Sequence, residues 1–236
     1  VNEQLSSSKQ KESNNMTIRM KMKLIKILVL PLEKYKHFAD LLTQRYFQIC
    51  RVLEPNIMTS QKDDIGKSLV LFLHNVGKVK EYLTSLALEK VSECQFTDNT
   101  EQLLFRDNSI ATKSVEAYLK LVGKKYLEYS LYQPVRELCM NPDASVWEVD
   151  PQRLPGLTTS EIQLNQERLV QITQRTFNSI TESVSAFPQE LRELFATWRA
   201  KCIQMNAIHL HSRLVCSSLF LRLICPAILS PSLFDL

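Results

Sequence analysis

The sequence predicts an all-α chain with one short strand near its front. Only four of the 236 residues are glycine, and 44% are hydrophobic, which is typical of a helical protein. From Pro31 onward, apolar residues recur at spacings of three and four, the period of an amphipathic helix. Before Pro31, the segment 18–24 alternates apolar and basic residues, the period of a half-buried strand.

Capping and breaking residues divide the helical part. Asp63 and Asp64 favour a helix start, Gly77 favours a stop, and Asn108 or Ser109 is expected to cap a helix that starts just after Arg106. That helix is expected to continue to residue 140, with Pro134 as a candidate break. The other helices are predicted at 32–53, 63–75, 78–93, 160–186, 188–204 and 208–225, with a loop at 141–157.

The last predicted helix carries one arginine within an apolar run, 218–231. The run is apolar on every helical face, which predicts a helix buried all round. A guanidinium keeps its proton, and burying it unpaired is costly. Arg222 must therefore pair with polar groups inside the fold or point at a functional site. Pro226 is expected to bend or stop the helix.

Charge and cysteine usage narrow the class of protein. Residues 1–38 hold eight Lys or Arg against three Glu, whereas the rest of the chain is nearly neutral, which argues against nucleic acid as a partner. The six cysteines show no paired spacing and predict reduced thiols in a cytosolic protein. We expect no signal peptide and no apolar run of membrane length.

Motifs for metal, cofactor or nucleotide chemistry are missing from the sequence. His209 and His211 do not combine with Cys202 and Cys216 into a zinc spacing. There is no Gly-rich phosphate loop and no nucleophile elbow, so we predict no metal, no cofactor and no nucleotide site in this chain.

Arg106 is the first candidate for a functional side chain. Leu103, Leu104 and Phe105 can anchor its loop in the core, and the next helix can fix the other side. A guanidinium is then held at a helix N-terminus, where negative charge is preferred. An unfavourable local placement of this kind often marks function, although an arginine in a polar loop can also be merely solvated.

Two segments resemble motifs of the Ras GTPase-activating (RasGAP) domain. Phe220-Leu221-Arg222, followed by Pro226-Ala227 and Pro231, resembles the family signature, and 103–113 is similar to its arginine-finger loop. The segments 118–123 and 225–228 look most like the SynGAP branch, which includes the RAS-protein-activator-like proteins. The resemblance covers roughly residues 30–236.

The resemblance implies a GTPase activator that is not itself an enzyme. Arg106 aligns with the arginine finger inserted in trans into a GTP-bound Ras-family protein, and Arg222 with the residue that braces the finger loop. Ras is the implied partner and Rap the second candidate, at the cytoplasmic face of the plasma membrane, where the activator acts as a negative regulator of Ras signalling. Contact with the GTPase is expected from Leu221, Phe105, Asp107, Asn108 and Lys120, and a structural role from Phe220, Pro226 and Ala227. For Asp107 and Asn108 capping is the simpler role, and for Lys120 a solvated face.

The resemblance also suggests how the chain is organised. Residues 1–15 are expected to form a disordered linker, 16–30 the last strand of a preceding C2-like domain, and 31–236 a RasGAP domain that lacks its C-terminal helices. The basic strand is either simply solvated or attracted to an anionic membrane surface. Without the remaining helices, 208–225 would expose a large apolar patch. The alternative function is therefore a non-catalytic GTPase-binding module or a helical scaffold.

Overall fold

The computed structural model describes residues 28–96, 104–140, 143–153 and 155–236, and in these ranges the chain is helical without strands. The predicted all-α class is confirmed. The predicted strand, the linker 1–15 and Leu103 lie outside the described residues.

The helices are α1 (Lys36–Leu53), α2 (Thr59–Asn75), α3 (Val79–Phe96), α4 (Ile110–Met140), α5 (Thr159–Glu182), α6 (Gln189–Gln204), α7 (Ile208–Leu219) and α8 (Cys225–Leu229), with a π-helical turn at Phe220–Ile224. Single 3₁₀ turns occupy Leu32–Tyr35, Ala144–Trp147, Ser183–Ala186 and Pro231–Phe234.

The chain divides into two compact units, residues 1–36 and 37–236. In the described part of the first, the backbone N–H of Leu30 donates to the hydroxyl of Tyr35 at 3.2 Å. Leu28 and Leu32 are exposed there. The second unit contains the hydrophobic core and both candidate arginines.

Helix α4 is the central element of the second unit, where it packs against α2, α3, α5 and the π-helical turn. Its crossing with α2 is tight, because a Cβ atom added to Gly66 would lie 3.1 Å from the backbone nitrogen of Ser114. Its own Tyr118 is fully buried, as are Tyr82 on α3 and Trp198 on α6. A rigid central helix therefore begins directly after the loop that carries Arg106.

Pro134 does not break α4, contrary to the expectation. A proline inside a helix leaves the carbonyl four residues earlier without its donor. Here that carbonyl belongs to Ser130, and the hydroxyl of Ser179 on α5 donates to it at 2.7 Å. The substitute hydrogen bond comes from another helix, which is why local sequence did not reveal it.

A stop at Pro226, one of the two predicted effects, is also wrong, and a bend there stays a prediction. In the π-helical turn, the N–H of Cys225 donates to the carbonyl of Phe220, five residues earlier. Pro226 then falls in the first turn of α8, where a missing N–H leaves no hydrogen bond unmade. The helical path therefore continues three residues beyond Pro226, to Leu229.

The stretch Ile208–Leu229 is buried on one side rather than all round. Leu210, Leu214 and Ala227 are fully buried, whereas Leu229 is 81% exposed. The stretch is long and apolar enough to cross a membrane by length and composition, so the expectation of no such run was wrong. Because one side packs in the core and Arg222 forms hydrogen bonds inside the fold, we interpret it as a packing element of the helical domain.

Candidate functional site

The loop between α3 and α4 carries Arg106. Leu104 and Phe105 are buried, whereas Arg106 is exposed. Within the described part of the chain, the Arg106 side chain forms no hydrogen bond and no ion pair. The loop therefore exposes the charged guanidinium of Arg106 to solvent, while the two residues before it are buried in the core.

The backbone of Phe105 is left-handed, with φ at 54°. This conformation is unusual for a bulky residue and costs about 1–3 kcal/mol, so the surroundings must hold it. The ring of Phe105 is 1% exposed and stacks on Trp198, with centroids 6.1 Å apart. Packing of this ring in the core fixes the loop on the N-terminal side of Arg106.

Arg222 holds the peptide groups on both sides of Arg106. Its Nε and Nη2 atoms donate to the carbonyl of Phe105 at 3.1 and 2.8 Å, and Nη2 also donates to the carbonyl of Asp107 at 3.1 Å. These hydrogen bonds explain why an arginine can stand in the apolar run. The backbone carbonyl dipoles compensate its charge inside the fold. They are the contacts that a brace requires, and the effect of that brace on activity stays a prediction.

The carboxylate of Asp107 is held on the C-terminal side of the loop. Its Oδ1 accepts from the hydroxyls of Ser109 at 2.8 Å and Thr112 at 2.5 Å, and its Oδ2 pairs with Nζ of Lys90 at 3.1 Å. Burial alone would raise the pKa of Asp107, but the hydroxyl donors and the Lys90 ammonium outweigh it and hold the pKa below its ordinary value. The carboxylate is therefore charged and fixed.

The start of α4 is capped from two sides. The hydroxyl of Ser109 accepts the N–H of Thr112 at 3.2 Å, so Ser109 rather than Asn108 is the cap. The N–H of Ile110 donates to Oε2 of Glu54 at 2.8 Å, and Lys62 pairs with the other oxygen of Glu54 at 2.7 Å. The backbone N–H groups at the start of α4, which have no acceptor within the helix, therefore have acceptors next to the loop.

The exposed guanidinium of Arg106 can stabilise negative charge on another molecule. A guanidinium without a partner among the described residues, on a loop fixed at both ends, can stabilise charge that develops on phosphate oxygens of a second molecule. It needs no reorganisation of its backbone to do so, because Phe105 and Asp107 are already held.

A protein-family model described as RasGAP, GTPase-activator protein for Ras-like GTPase, matches residues 84–157 and 155–236. These two segments contain the loop of Arg106 and the π-helical turn of Arg222, and together they cover more than half of the chain. The chain belongs to the RasGAP family. The resemblance seen in the two motifs is thereby confirmed.

Full-length relatives agree with this RasGAP assignment. The chain is 40% identical to Ras GTPase-activating protein nGAP from Homo sapiens over 93% of its own length and 19% of that protein. It is 39% identical to human RAS protein activator like-3, over 93% of this chain and 21% of that protein. Ras GTPase-activating protein raskol from Drosophila melanogaster is 38% identical, over 98% and 14%. The chain thus spans about a fifth or less of the length of these relatives.

The other residues of this RasGAP chain that were predicted to contact a GTPase differ in their exposure to solvent. Leu221 is 39% exposed beside Arg222, and Asn108 is exposed in the loop, so both are accessible. The ring of Phe105, predicted to contact a GTPase, is buried instead and anchors the loop. Asp107 already has internal donors for both carboxylate oxygens.

Lys120 and the structural residues of the signature have contacts within the helical unit. The ammonium of Lys120 pairs with Glu116 at 2.9 Å and lies 4.9 Å from the ring centroid of Phe234. Ala227 is fully buried, and Phe220 packs partly buried against the core. Contact of Lys120 with a GTPase stays a prediction.

Sequence reasoning missed three residues that hold the RasGAP loop. Trp198 on α6 supports the Phe105 ring, Lys90 on α3 pairs with Asp107, and Glu54 at the end of α1 caps α4. Trp198 and Glu54 are remote in sequence from the loop, and Lys90 lies on α3, the helix before it. Their periodicity predicted only helices, and no local motif marks the contact.

Proposed function

We propose that this chain accelerates GTP hydrolysis by a Ras-family GTPase by inserting Arg106 into the GTPase active site in trans. The observation that carries the proposal is the exposed Arg106, without an internal partner in the described chain, between two carbonyls held by Arg222. Family membership and relatives named as Ras GTPase-activating proteins support it.

The physical basis is charge stabilisation. GTP hydrolysis spreads negative charge over phosphate oxygens in the transition state, and a guanidinium from outside can meet that charge. For arginine fingers of Ras activators the established gain is roughly 10³ to 10⁵, a magnitude that belongs to those activators as a class. It corresponds to about 4–7 kcal/mol of transition-state stabilisation.

The test is single-turnover hydrolysis of GTP bound to Ras, with and without the chain. Wild type should accelerate it, and Arg106→Ala should lose nearly all of the acceleration while still competing for Ras-GTP binding. Arg153→Ala removes a 77% exposed loop arginine far along the sequence and should behave as wild type. Ras binding without acceleration by wild type would favour the non-catalytic module, and equal activity of Arg106→Ala would refute the finger.

The partner and place of action follow from the same proposal. We propose Ras as the preferred substrate and Rap as the second, with the chain acting as a negative regulator of Ras signalling at the cytoplasmic face of the plasma membrane. The basic residues Arg19, Lys21, Lys23 and Lys26 would attract anionic lipid. Cosedimentation with phosphatidylserine vesicles but not with neutral phosphatidylcholine vesicles is the expected result, and equal binding to both would exclude it.

A further inference from the structure

We propose that Lys90 is a positioning residue for Arg106, because it keeps the neighbouring carboxylate of Asp107 away from the finger guanidinium. The inference rests on the proposed function and extends it to a residue outside both family motifs. It concerns one ion pair between α3 and the loop, Lys90 Nζ to Asp107 Oδ2 at 3.1 Å.

Asp107 is the nearest competitor for the guanidinium. It follows Arg106 directly in the chain, its carboxylate is charged, and its side chain is 43% exposed. A carboxylate one residue away can turn outward and pair with Arg106, which would neutralise the charge that the phosphate oxygens require. In the structure Arg106 and Asp107 form no ion pair, because both carboxylate oxygens are occupied by other groups.

Lys90 differs from the other donors to Asp107. Ser109 caps α4 and Thr112 lies in its first turn, so both are neutral hydroxyl donors at the C-terminal side of the loop. Lys90 comes from α3, its side chain is only 21% exposed, and it is the charged donor to this carboxylate among the described residues. The ion pair therefore ties the carboxylate to α3 as well as to the start of α4, and it supplies the positive charge that holds Oδ2.

The surroundings keep Lys90 charged and in place. It lies with Glu54, Glu89 and Glu93 around a cavity of about 250 Å³ behind the loop, and Glu93 Oε2 is 3.1 Å from its ammonium. Burial lowers the pKa of Lys90, but the carboxylates of Asp107 and Glu93 outweigh burial and leave the pKa raised. Arg51 pairs with Glu89 and Lys62 with Glu54, so Glu93 is the carboxylate that shares Lys90 with Asp107. If Lys90 lost its side-chain charge, Glu93 would repel Asp107 toward solvent and toward Arg106.

The experiment measures single-turnover hydrolysis of Ras-bound GTP as a function of chain concentration. Lys90→Met keeps much of the apolar stem and removes the charge, and we expect a roughly tenfold lower maximal rate with an unchanged half-saturating concentration. Lys90→Arg should recover most of the rate. Lys80→Met is the matched control, since Lys80 also lies on α3 and pairs with Glu193 on α6, away from the loop. It should behave as wild type.

A double-mutant comparison separates positioning from general support of the fold. In an Asp107→Asn background there is no anion to restrain, so adding Lys90→Met should change the rate less than about twofold. An equally large effect of Lys90→Met with and without the Asp107 carboxylate would overturn the proposal.

A second readout does not depend on activation of Ras. Hydrogen exchange of the Ser109 and Thr112 amides, which lie in the Asp107 hydrogen-bond network, should be faster in Lys90→Met than in Lys80→Met. Equal exchange in the two variants would overturn the proposal even if wild type activates Ras. If wild type gives no acceleration, the proposed function fails, and the exchange comparison still decides whether Lys90 holds the loop.

Discussion

Replacing Arg222 by alanine removes the three hydrogen bonds that hold the carbonyls on either side of Arg106. A hydrogen bond to a charged group contributes about 1.5–3 kcal/mol, and three bonds that share one partly exposed guanidinium do not add fully. We therefore assign about 2–3 kcal/mol to the held loop. The left-handed backbone of Phe105 relaxes once this restraint is gone, since φ at 54° is unfavourable for that residue.

The kinetic consequence follows from this energy. At about 1.4 kcal/mol per factor of ten, the held loop becomes roughly 30- to 150-fold less populated. We expect the maximal rate of Ras-bound GTP hydrolysis to fall by a factor in this range, which is less than the loss expected for Arg106→Ala. The half-saturating concentration should change little, because the Arg222 side chain directs its hydrogen bonds to the loop.

The assay is single-turnover hydrolysis at several chain concentrations, with Arg222→Lys beside Arg222→Ala. A lysine ammonium can donate to one of the two carbonyls but lacks the planar fork that reaches both, so it should recover part of the rate. A maximal rate for Arg222→Ala equal to that of wild type would refute the brace. So would a loss confined to the half-saturating concentration.

Two further predictions concern stability. Because the pKa of Asp107 is lowered in the fold, its charge stabilises the native state above the unfolded pKa of about 3.9, and this stabilisation is lost as pH falls through the lower native value. The difference in unfolding free energy between wild type and Asp107→Asn should therefore shrink below about pH 4, as measured by urea titration; a difference independent of pH would contradict this. Ser179→Ala should destabilise the chain by about 1–3 kcal/mol, because the Ser130 carbonyl loses its donor. Adding Pro134→Ala should recover stability by restoring a helical N–H, and no recovery would show that the Ser179 hydroxyl acts elsewhere.

Local sequence predicted which segments are helical better than it predicted where each helix begins and ends. Gly77, with φ at 72°, closes the region after α2 as expected, because a positive φ favours glycine. The start of α2 lies four residues before Asp63, at Thr59, where the side chain of Gln61 accepts the N–H of Met58 at 3.0 Å. This side-chain cap stabilises a helix start at Thr59, earlier than the start that Asp63 and Asp64 suggested.

The errors at Pro134 and Pro226 share one physical cause. A proline was expected to interrupt each helix because it removes a donor, and in each case another part of the structure compensates. Ser179 supplies a hydroxyl to the carbonyl left free by Pro134, and the π-helical turn moves Pro226 to a first-turn position. Neither compensation follows from the period of apolar residues.

The candidate site was predictable where its residues belong to the two motifs and not where they come from other helices. Arg106 and Arg222 stand out because each is a charge in an unfavourable context. Lys90 and Trp198 lie in helices and Glu54 directly follows α1, none of them in a recognisable motif, and only packing brings them to the loop. The burial of Phe105 likewise depends on α6, which follows it by more than 80 residues.

The hydrogen bonds of Arg222 to Phe105 and Asp107 join positions 117 and 115 residues apart. During synthesis on the ribosome, a nascent chain that has emerged only as far as α6 already contains Arg106 but not the side chain that clamps its loop. The loop conformation seen here therefore forms only after the segment that contains Arg222 has left the exit tunnel. Premature termination between α4 and residue 222 would give a chain with Arg106 and without Arg222, and proteolytic cleavage there would leave the two arginines on separate fragments.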